Sequence, residues 1–195
     1  MGTGRTLYVL RHAKSDWSDP ALADRERPLA DKGRRQVGRL VKHAASLPVE
    51  LVVSSPAVRA RQTVDPVREV IGCELREDSR LYSGSEVELL QVVRELPDGC
   101  SSAMVVGHMP GLATLVEALT GDFLDFPTGG LATVTLPGPW SAAGESAGRL
   151  AELVSPRDLR ERQAAEAPKE AKEANESSRR ARKKAKRRRK STGGG

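Results

Sequence analysis

Leu7-Tyr8-Val9-Leu10 is a short, wholly apolar run that stops abruptly at Arg11-His12. A run of this length without alternation reads as a strand buried on both faces of a parallel sheet. Residues 13–32 are polar and contain Pro20 and Pro28, which predicts a loop. From Gly33 onward Val37, Leu40, Val41 and Ala44 recur at helical spacing. Leu51-Val52-Val53 predicts a second buried strand. It runs into Ser54-Ser55-Pro56, with Ser55 as N-cap and Pro56 as the first residue of a helix reaching about Val70.

A short extended piece is expected around Glu74 and Leu75, and Ser85-Glu86-Val87-Glu88 has the form of a capping box opening a helix to about Leu96. Pro97-Asp98-Gly99 marks a turn. Ala103-Met104-Val105-Val106 is a third buried strand, ending at Gly107-His108, and Pro110 sits at the start of a helix to about Leu119. Residues 131–136 alternate and are β-branched, as a strand requires, while residues 148–154 fit either a last strand or a helix. Strands alternating with helices imply an α/β fold, a three-layer α/β/α sandwich around a mostly parallel central sheet. Ligands of such sheets bind at the carboxyl ends of the strands. That rule alone brings Arg11, His12, residues 54–59 and His108 to one rim.

Beyond residue 155 the chain changes in kind. Between Ala164 and Lys190 there is no Val, Ile, Leu, Met or aromatic residue, so this segment has nothing to bury against its ordering entropy. Two parts are therefore expected: a folded domain over residues 1–155 and a basic, disordered tail over 156–195. The tail holds 15 Lys and Arg against 6 Asp and Glu, ten of the basic residues falling in the twelve from Arg179 to Lys190. The net charge of +6 thus belongs to the tail, and the mildly acidic remainder does not read as a nucleic-acid-binding domain. The basic run is either a solvated segment or a tether to nucleic acid or another polyanion.

Cys73 and Cys100 stand apart from other Cys and His residues, which excludes a CxxC redox pair or a zinc site built on them and fits a reduced, cytoplasmic setting. Only four apolar residues precede Arg11, too few for a signal peptide, and no stretch approaches the ~20 apolar residues of a membrane helix. No membrane association is expected. Met1-Gly2 with Thr6 matches the N-myristoylation pattern formally, but Thr6 already opens the first strand and leaves too short an arm.

His12 and His108 each follow a buried strand directly, whereas His43 lies within the first helix and reads as an ordinary helix-surface residue. Two histidines, Arg11, Arg59 and a helix N-terminus on one rim suit a ligand with several negative oxygens. Arginine stays protonated and offers a fork of donors that matches phosphate. There is no Mg²⁺-type carboxylate cluster, no P-loop and no HExxH, so phosphoryl chemistry here is expected to need neither metal nor cofactor, and a histidine is the available nucleophile.

These residues carry a resemblance. Leu10-Arg11-His12-Ala13-Lys14-Ser15-Asp16-Trp17 resembles the RHG-type signature of the histidine phosphatase superfamily, with Ala13 where glycine is more usual. Ser54-Ser55-Pro56-Ala57-Val58-Arg59-Ala60-Arg61-Gln62-Thr63 resembles its SSPxxRAxQT segment, and Val105-Val106-Gly107-His108-Met109-Pro110-Gly111 its VGHxPG segment. Within the superfamily the chain is most similar to the small SixA-like phosphohistidine phosphatases, over residues 6–155. The resemblance implies a phosphoglycerate mutase-like fold, His12 as a transiently phosphorylated nucleophile, and Arg11, Arg59 and His108 as phosphoryl-binding groups. Ser15 and Ser18 fall where relatives place polar groups near the phosphate, and Arg61 matches a variable position.

Phosphohistidine expels an imidazole, whose conjugate acid has a pKa near ~6.5, whereas an alkyl phosphate expels an alkoxide that needs a general acid. The interval between Arg59 and His108 leaves no room for a sizeable cap, and Asp78 and Glu86 are its plausible acids, each otherwise a surface charge. A shallow site admits a phosphohistidine-bearing protein or a small phosphorylated metabolite. The expected activity is that of a phosphohistidine phosphatase; the rivals are a phosphomonoesterase of the same superfamily and a polyanion-binding protein acting through its tail.

Overall fold

The computed structural model describes residues 4–144 and 146–166; the basic run from Arg179 to Lys190 and the Met1-Gly2 pair lie outside the described residues. Six strands form one sheet: β1 (Arg5–Arg11), β2 (Leu51–Ser54), β3 (Glu74–Glu77), β4 (Ser102–Gly107), β5 (Leu131–Leu136) and β6 (Arg149–Val154). Their order is β3-β2-β4-β1-β5-β6, parallel from β3 to β1, with β5 antiparallel to both of its neighbours. The sheet is mostly parallel, as expected, and residues 148–154 resolve in favour of the strand.

Apolar residues on the central strands divide by parity, because successive side chains leave opposite faces. Leu7, Val9, Leu51, Val53, Ala103 and Val105 pack in one core with α4 (Glu86–Arg94) and α5 (Gly111–Thr120). Tyr8, Leu10, Val52, Met104 and Val106 pack in another with α1 (Asp31–Ala44) and α2 (Val58–Ile71). Two cores on two faces make the three-layer sandwich. Among the described residues no helix is long and apolar enough to cross a membrane, and Cys73 and Cys100 are free thiols.

Local rules place most helix ends. Ser85 Oγ accepts from Glu88 N while the Glu88 carboxylate accepts from Ser85 N at 2.8 Å, completing the expected capping box of α4. The helix begins later than expected: α2 starts at Val58 with Ala57 as N-cap and no side-chain cap bond, while Ser55 lies ahead of it, its hydroxyl accepting from Ala57 N at 3.3 Å and standing 2.8 Å from His108, just beyond β4. A short helix α3 (Arg80–Ser83) was not anticipated; it forms where Asp78 accepts from Arg80 N at 2.9 Å and Gly84 N donates to Arg80 O at 2.7 Å.

The first compact unit runs to Leu159, and Pro156 and Leu159 of α6 (Pro156–Glu166) are buried. The described part of the second unit is the rest of that helix.

Helix α1 presses against the loop that follows β1. A Cβ on Gly33 would stand 2.2 Å from Lys14 O, a contact that backbone on both sides cannot relieve cheaply. Gly33→Ala is expected to cost about 1–3 kcal/mol, as overpacking typically does, and to displace the residues beyond His12. Urea unfolding reads the loss of stability, and unchanged stability would show that the loop yields freely.

Candidate active site

The sheet register builds the site. β1 and β4 are neighbours with Arg11 opposite Gly107, and β2 lies on the other side of β4 with Ser54 opposite Val106. One residue further on, His12, His108 and Ser55 leave the sheet side by side. The ladder reaches even there: His12 N donates to Gly107 O at 3.2 Å and Ser55 N to Val106 O at 2.8 Å. The two imidazole centroids are 4.7 Å apart with planes tilted by 48°.

The chain beyond His12 is tied down by side chains from two helices. Ala13 N donates to Thr63 Oγ1 at 3.0 Å, and that hydroxyl donates to Arg59 O at 2.6 Å. Gln36 clamps two loops, accepting from Lys14 N at 2.9 Å and donating to Thr128 O at 3.1 Å. Gly129, at φ +72°, donates its N–H to the carbonyls of Arg11 and His12, an approach in a left-handed conformation that favours glycine. Arg11 Nη1 donates to Phe126 O at 2.5 Å, which fixes its guanidinium beneath the loop 121–130.

Hydrogen bonding fixes the tautomer of His12. Its Nδ1 is 2.7 Å from Ala13 O, an acceptor, so Nδ1 carries the proton and Nε2 keeps its lone pair. Ser55 Oγ lies 2.8 Å from His108 Nε2 and also accepts from Ala57 N at 3.3 Å. His108 Nδ1 and Arg11 Nε are buried and have no hydrogen-bond partner among the described residues.

The histidines are only 8% and 9% exposed. Burial pushes the His12 pKa down to about 4; the Ala13 carbonyl opposes the fall and the Arg59 and Arg11 charges add to it. Burial likewise takes His108 down to about 3, helped by His12 and Arg59. Both rings are therefore neutral at physiological pH.

The family model described as histidine phosphatase superfamily (branch 1) matches residues 7–84. An uncharacterized protein of Mycobacterium tuberculosis is 32% identical over 161 residues, covering 76% of this chain and all of the relative. The chain belongs to the histidine phosphatase superfamily. A Salmonella choleraesuis protein assigned as phosphoglycerate mutase GpmB is 29% identical over 139 residues, covering 63% of this chain and 65% of that protein. Among solved structures, a Nakamurella multipartitia protein assigned as phosphohistidine phosphatase SixA superposes with TM-score 0.71 at 26% identity, covering 78% of this chain and 96% of its own. The protein histidine phosphatase SixA complexed with tungstate gives TM-score 0.67 at 26% identity, covering 79% and 99%.

The superfamily's two histidines, with Arg11 and Arg59, gather where the sequence put them, and Arg59 is buried. Ser15 is buried but pairs through its backbone with Leu29, and Ser18 sits in an exposed turn with its N–H on Asp16 Oδ1 at 2.9 Å. Asp78 is tied to Arg80 at 2.6 Å; the hydrogen bonds from Arg80 outweigh burial and hold its carboxyl below the ordinary range. Glu86 is exposed at the start of α4, on the wall of a cavity of about 480 Å³ that adjoins His108 and also reaches Tyr82, Ser85, Met109 and Gly111.

Asp24 and Tyr82 were not singled out from sequence, yet both stand in the site. Asp24 accepts from Arg59 Nη2 at 2.7 Å and from the Tyr82 hydroxyl at 2.9 Å, and its backbone carbonyl accepts from Arg59 Nη1. Tyr82 packs edge-on to His108 with centroids 5.2 Å apart. Burial raises the Asp24 carboxyl, but hydrogen bonds from Arg59 and Tyr82 and the charges of Arg59 and Arg27 outweigh it and leave it lowered. Asp24 is therefore an ionised carboxylate lying on the arginine that a phosphoryl group would use.

Two outcomes follow from this electrostatic balance. Both histidine pKa values are depressed, so the unfolded chain takes up protons below pH ~6.5 while the folded chain takes them up only near 4 and 3; stability is full above ~6.5 and is lost as pH falls. Urea unfolding is expected to read a loss of about 5 kcal/mol of stability between pH 7 and 4.5 from the two rings together. Carbon-13 spectra of labelled histidines should show both rings still neutral at pH 5; titration of either near 6.5 would refute it. Asp24→Asn, which removes the carboxylate charge beside Arg59, is expected to tighten inorganic phosphate binding roughly three- to ten-fold by calorimetry, and weaker binding would mean that Asp24 helps to hold the anion.

Proposed function

We propose that this chain hydrolyses the phosphoryl group of phosphohistidine through a covalent intermediate on His12, without a metal ion. The observation that carries the reading is the His12 tautomer: Nδ1–H is committed to Ala13 O, so the Nε2 lone pair faces the reaction in a neutral ring beside two arginines. The likeness to structures named for phosphohistidine phosphatase activity supports it.

In the first step the substrate ring, protonated from solvent on its distal nitrogen, leaves as neutral imidazole: His12 Nε2 forms a bond to phosphorus while the P–N bond breaks and its electron pair goes to the departing ring. Arg11 and Arg59 hold the equatorial oxygens, and His108 supplies a further polar contact to the same group as charge redistributes. In the second step water attacks phosphorus, the P–Nε2 bond breaks, and its pair returns to His12 as phosphate leaves and the water proton passes to solvent. Asp24 and Asp78 are both held ionised, which leaves an alkoxide without a ready acid, whereas an imidazole protonated from solvent leaves without an acid from the protein.

One observation favours a second reading. The cavity beside His108 has room for a small leaving group, and Glu86 lies on its wall, which would suit a phosphomonoester of a compact metabolite.

EDTA-treated wild type and His12→Ala, each given a chemically phosphorylated phosphohistidine polypeptide and a simple alkyl phosphomonoester, separate the two. The expected result is kcat/KM at least ~100-fold higher on phosphohistidine, with His12→Ala losing at least about 10³-fold. Equal or better turnover of the ester, or activity abolished by EDTA, would overturn the proposal.

A further inference from the structure

The chain has six aromatic residues, and their burial divides them sharply. Tyr8, Phe126 and Trp140 are buried and Tyr82 stands in the site, but Trp17 is 66% and Phe123 80% exposed. Both exposed aromatics lie on the loops that bracket Arg11 and His12. Trp17 is on the loop after β1: the guanidinium carbon of Arg27 sits 3.0 Å from its ring centroid, Arg27 pairs with Asp24 at 3.2 Å, and Asp24 pairs with Arg59. Phe123 is on the loop 121–130, whose Phe126 carbonyl holds Arg11 and whose Asp125 carboxylate acts on the Arg11 charge. Leu124 packs against the core and Phe126 is buried, so this loop is anchored while Phe123 is turned to solvent.

Charge follows the same pattern. From Ser15 to Asp24, and again from Gly121 to Thr128, there is no Lys or Arg. Asp16 and Asp19 flank Trp17, and Asp122 and Asp125 flank Phe123. A cationic centre is thus bordered by two aromatic, acidic lips. Exposed aromatic side chains are the groups that most often anchor a protein partner, since they bury a large area at small entropic cost. The aspartates repel any further negative charge that a substrate brings beside its phosphoryl group and favour positive charge there.

We propose that these two loops form a docking surface for a polypeptide carrier, one with Lys or Arg and apolar side chains flanking its phosphorylated histidine. This rests on the phosphatase reading above for the phosphoryl group, but the surface itself is defined by Trp17, Phe123 and the four aspartates. The segment between Ala164 and Lys190 of the chain is basic but has no large apolar side chain to place against Trp17 and Phe123, so a carrier with both features fits better.

Binding tests this without turnover. Two peptides of equal length, each with one stable phosphonate analogue of phosphohistidine, carry either Lys and Leu or Glu and Leu beside it, and their Kd values for the full chain are measured by fluorescence anisotropy. The Lys/Leu peptide is expected to bind at least ten-fold tighter at low salt, with the gap narrowing at 0.5 M salt. Phe123→Ala should weaken the Lys/Leu peptide about five- to ten-fold while leaving the affinity for inorganic phosphate unchanged. Asp19→Asn with Asp122→Asn should remove most of the charge preference.

Equal Kd values for the two peptides, or a preference untouched by these variants, would overturn the docking surface; tighter binding of the Glu/Leu peptide would do so in favour of the basic tail as the contact. The turnover experiment above fails independently. Absent phosphohistidine hydrolysis refutes the reaction, and unselective peptide binding refutes the surface.

Discussion

His12 and His108 can act together only because β1 and β4 pair in parallel with Arg11 opposite Gly107. A shift of one residue would turn every side chain of β1 to the other face. In a sheet buried on both sides apolar alternation cannot forbid that shift, since both faces accept Leu and Val. Register is held instead by what lies at the strand ends. Slipping β1 inward would carry Arg11 between buried neighbours, and burying an unpaired charge costs far more than a mispaired methyl group. Arg11, proposed to bind the phosphoryl group, is thus also the stop that sets the register of the strand bearing it.

The same burial that neutralises the histidines makes the site costly to maintain. Two rings kept uncharged between two arginines are useful because a protonated His12 has no lone pair to offer. The arrangement is tolerable because Arg11 bonds to Phe126 O and Arg59 to Asp24, so neither cation is left without an acceptor. A phosphoryl group bound as proposed would have to compete with Asp24 for Arg59. It would bring more negative charge than a carboxylate and reach Arg11 at the same time.

Much of this was legible in the sequence, for identifiable reasons. Short apolar runs ending in Arg-His, Ser-Ser-Pro and Gly-His marked the strands, and the rule that ligands gather at carboxyl ends then collected His12, Arg59 and His108. Ser55 was legible as a residue but not in its role: a serine before a helix satisfies a cap rule, and only the neighbouring strand reveals that His108 claims its hydroxyl. Thr63 and Gln36 look like ordinary helix positions until the loop they hold is seen. Asp24 and Tyr82 sit on a three-residue 3-10 turn and a four-residue helix, too short for any periodicity to read, and Asp78 is one carboxylate among many until Arg80 is found bonded to it. What the sequence hid consists of contacts made between loops, whose partners are chosen by tertiary structure.

The site has a rigid floor and exposed lips, and both are built from the same loops. Gln36, Gly129 and the Phe126 carbonyl fix the bases of those loops against the histidines and Arg11, so a displacement there would move the reacting atoms. Trp17 and Phe123 project from the same segments into solvent. On the docking proposal, positioning and recognition would be carried by different residues of these two loops. Substitution at a lip would then change which carrier is accepted, whereas substitution at the floor would change the chemistry for every carrier. A superfamily whose members share one phosphoryl-transfer centre can in this way serve different substrates, because the part that must stay fixed is separated physically from the part that is free to vary.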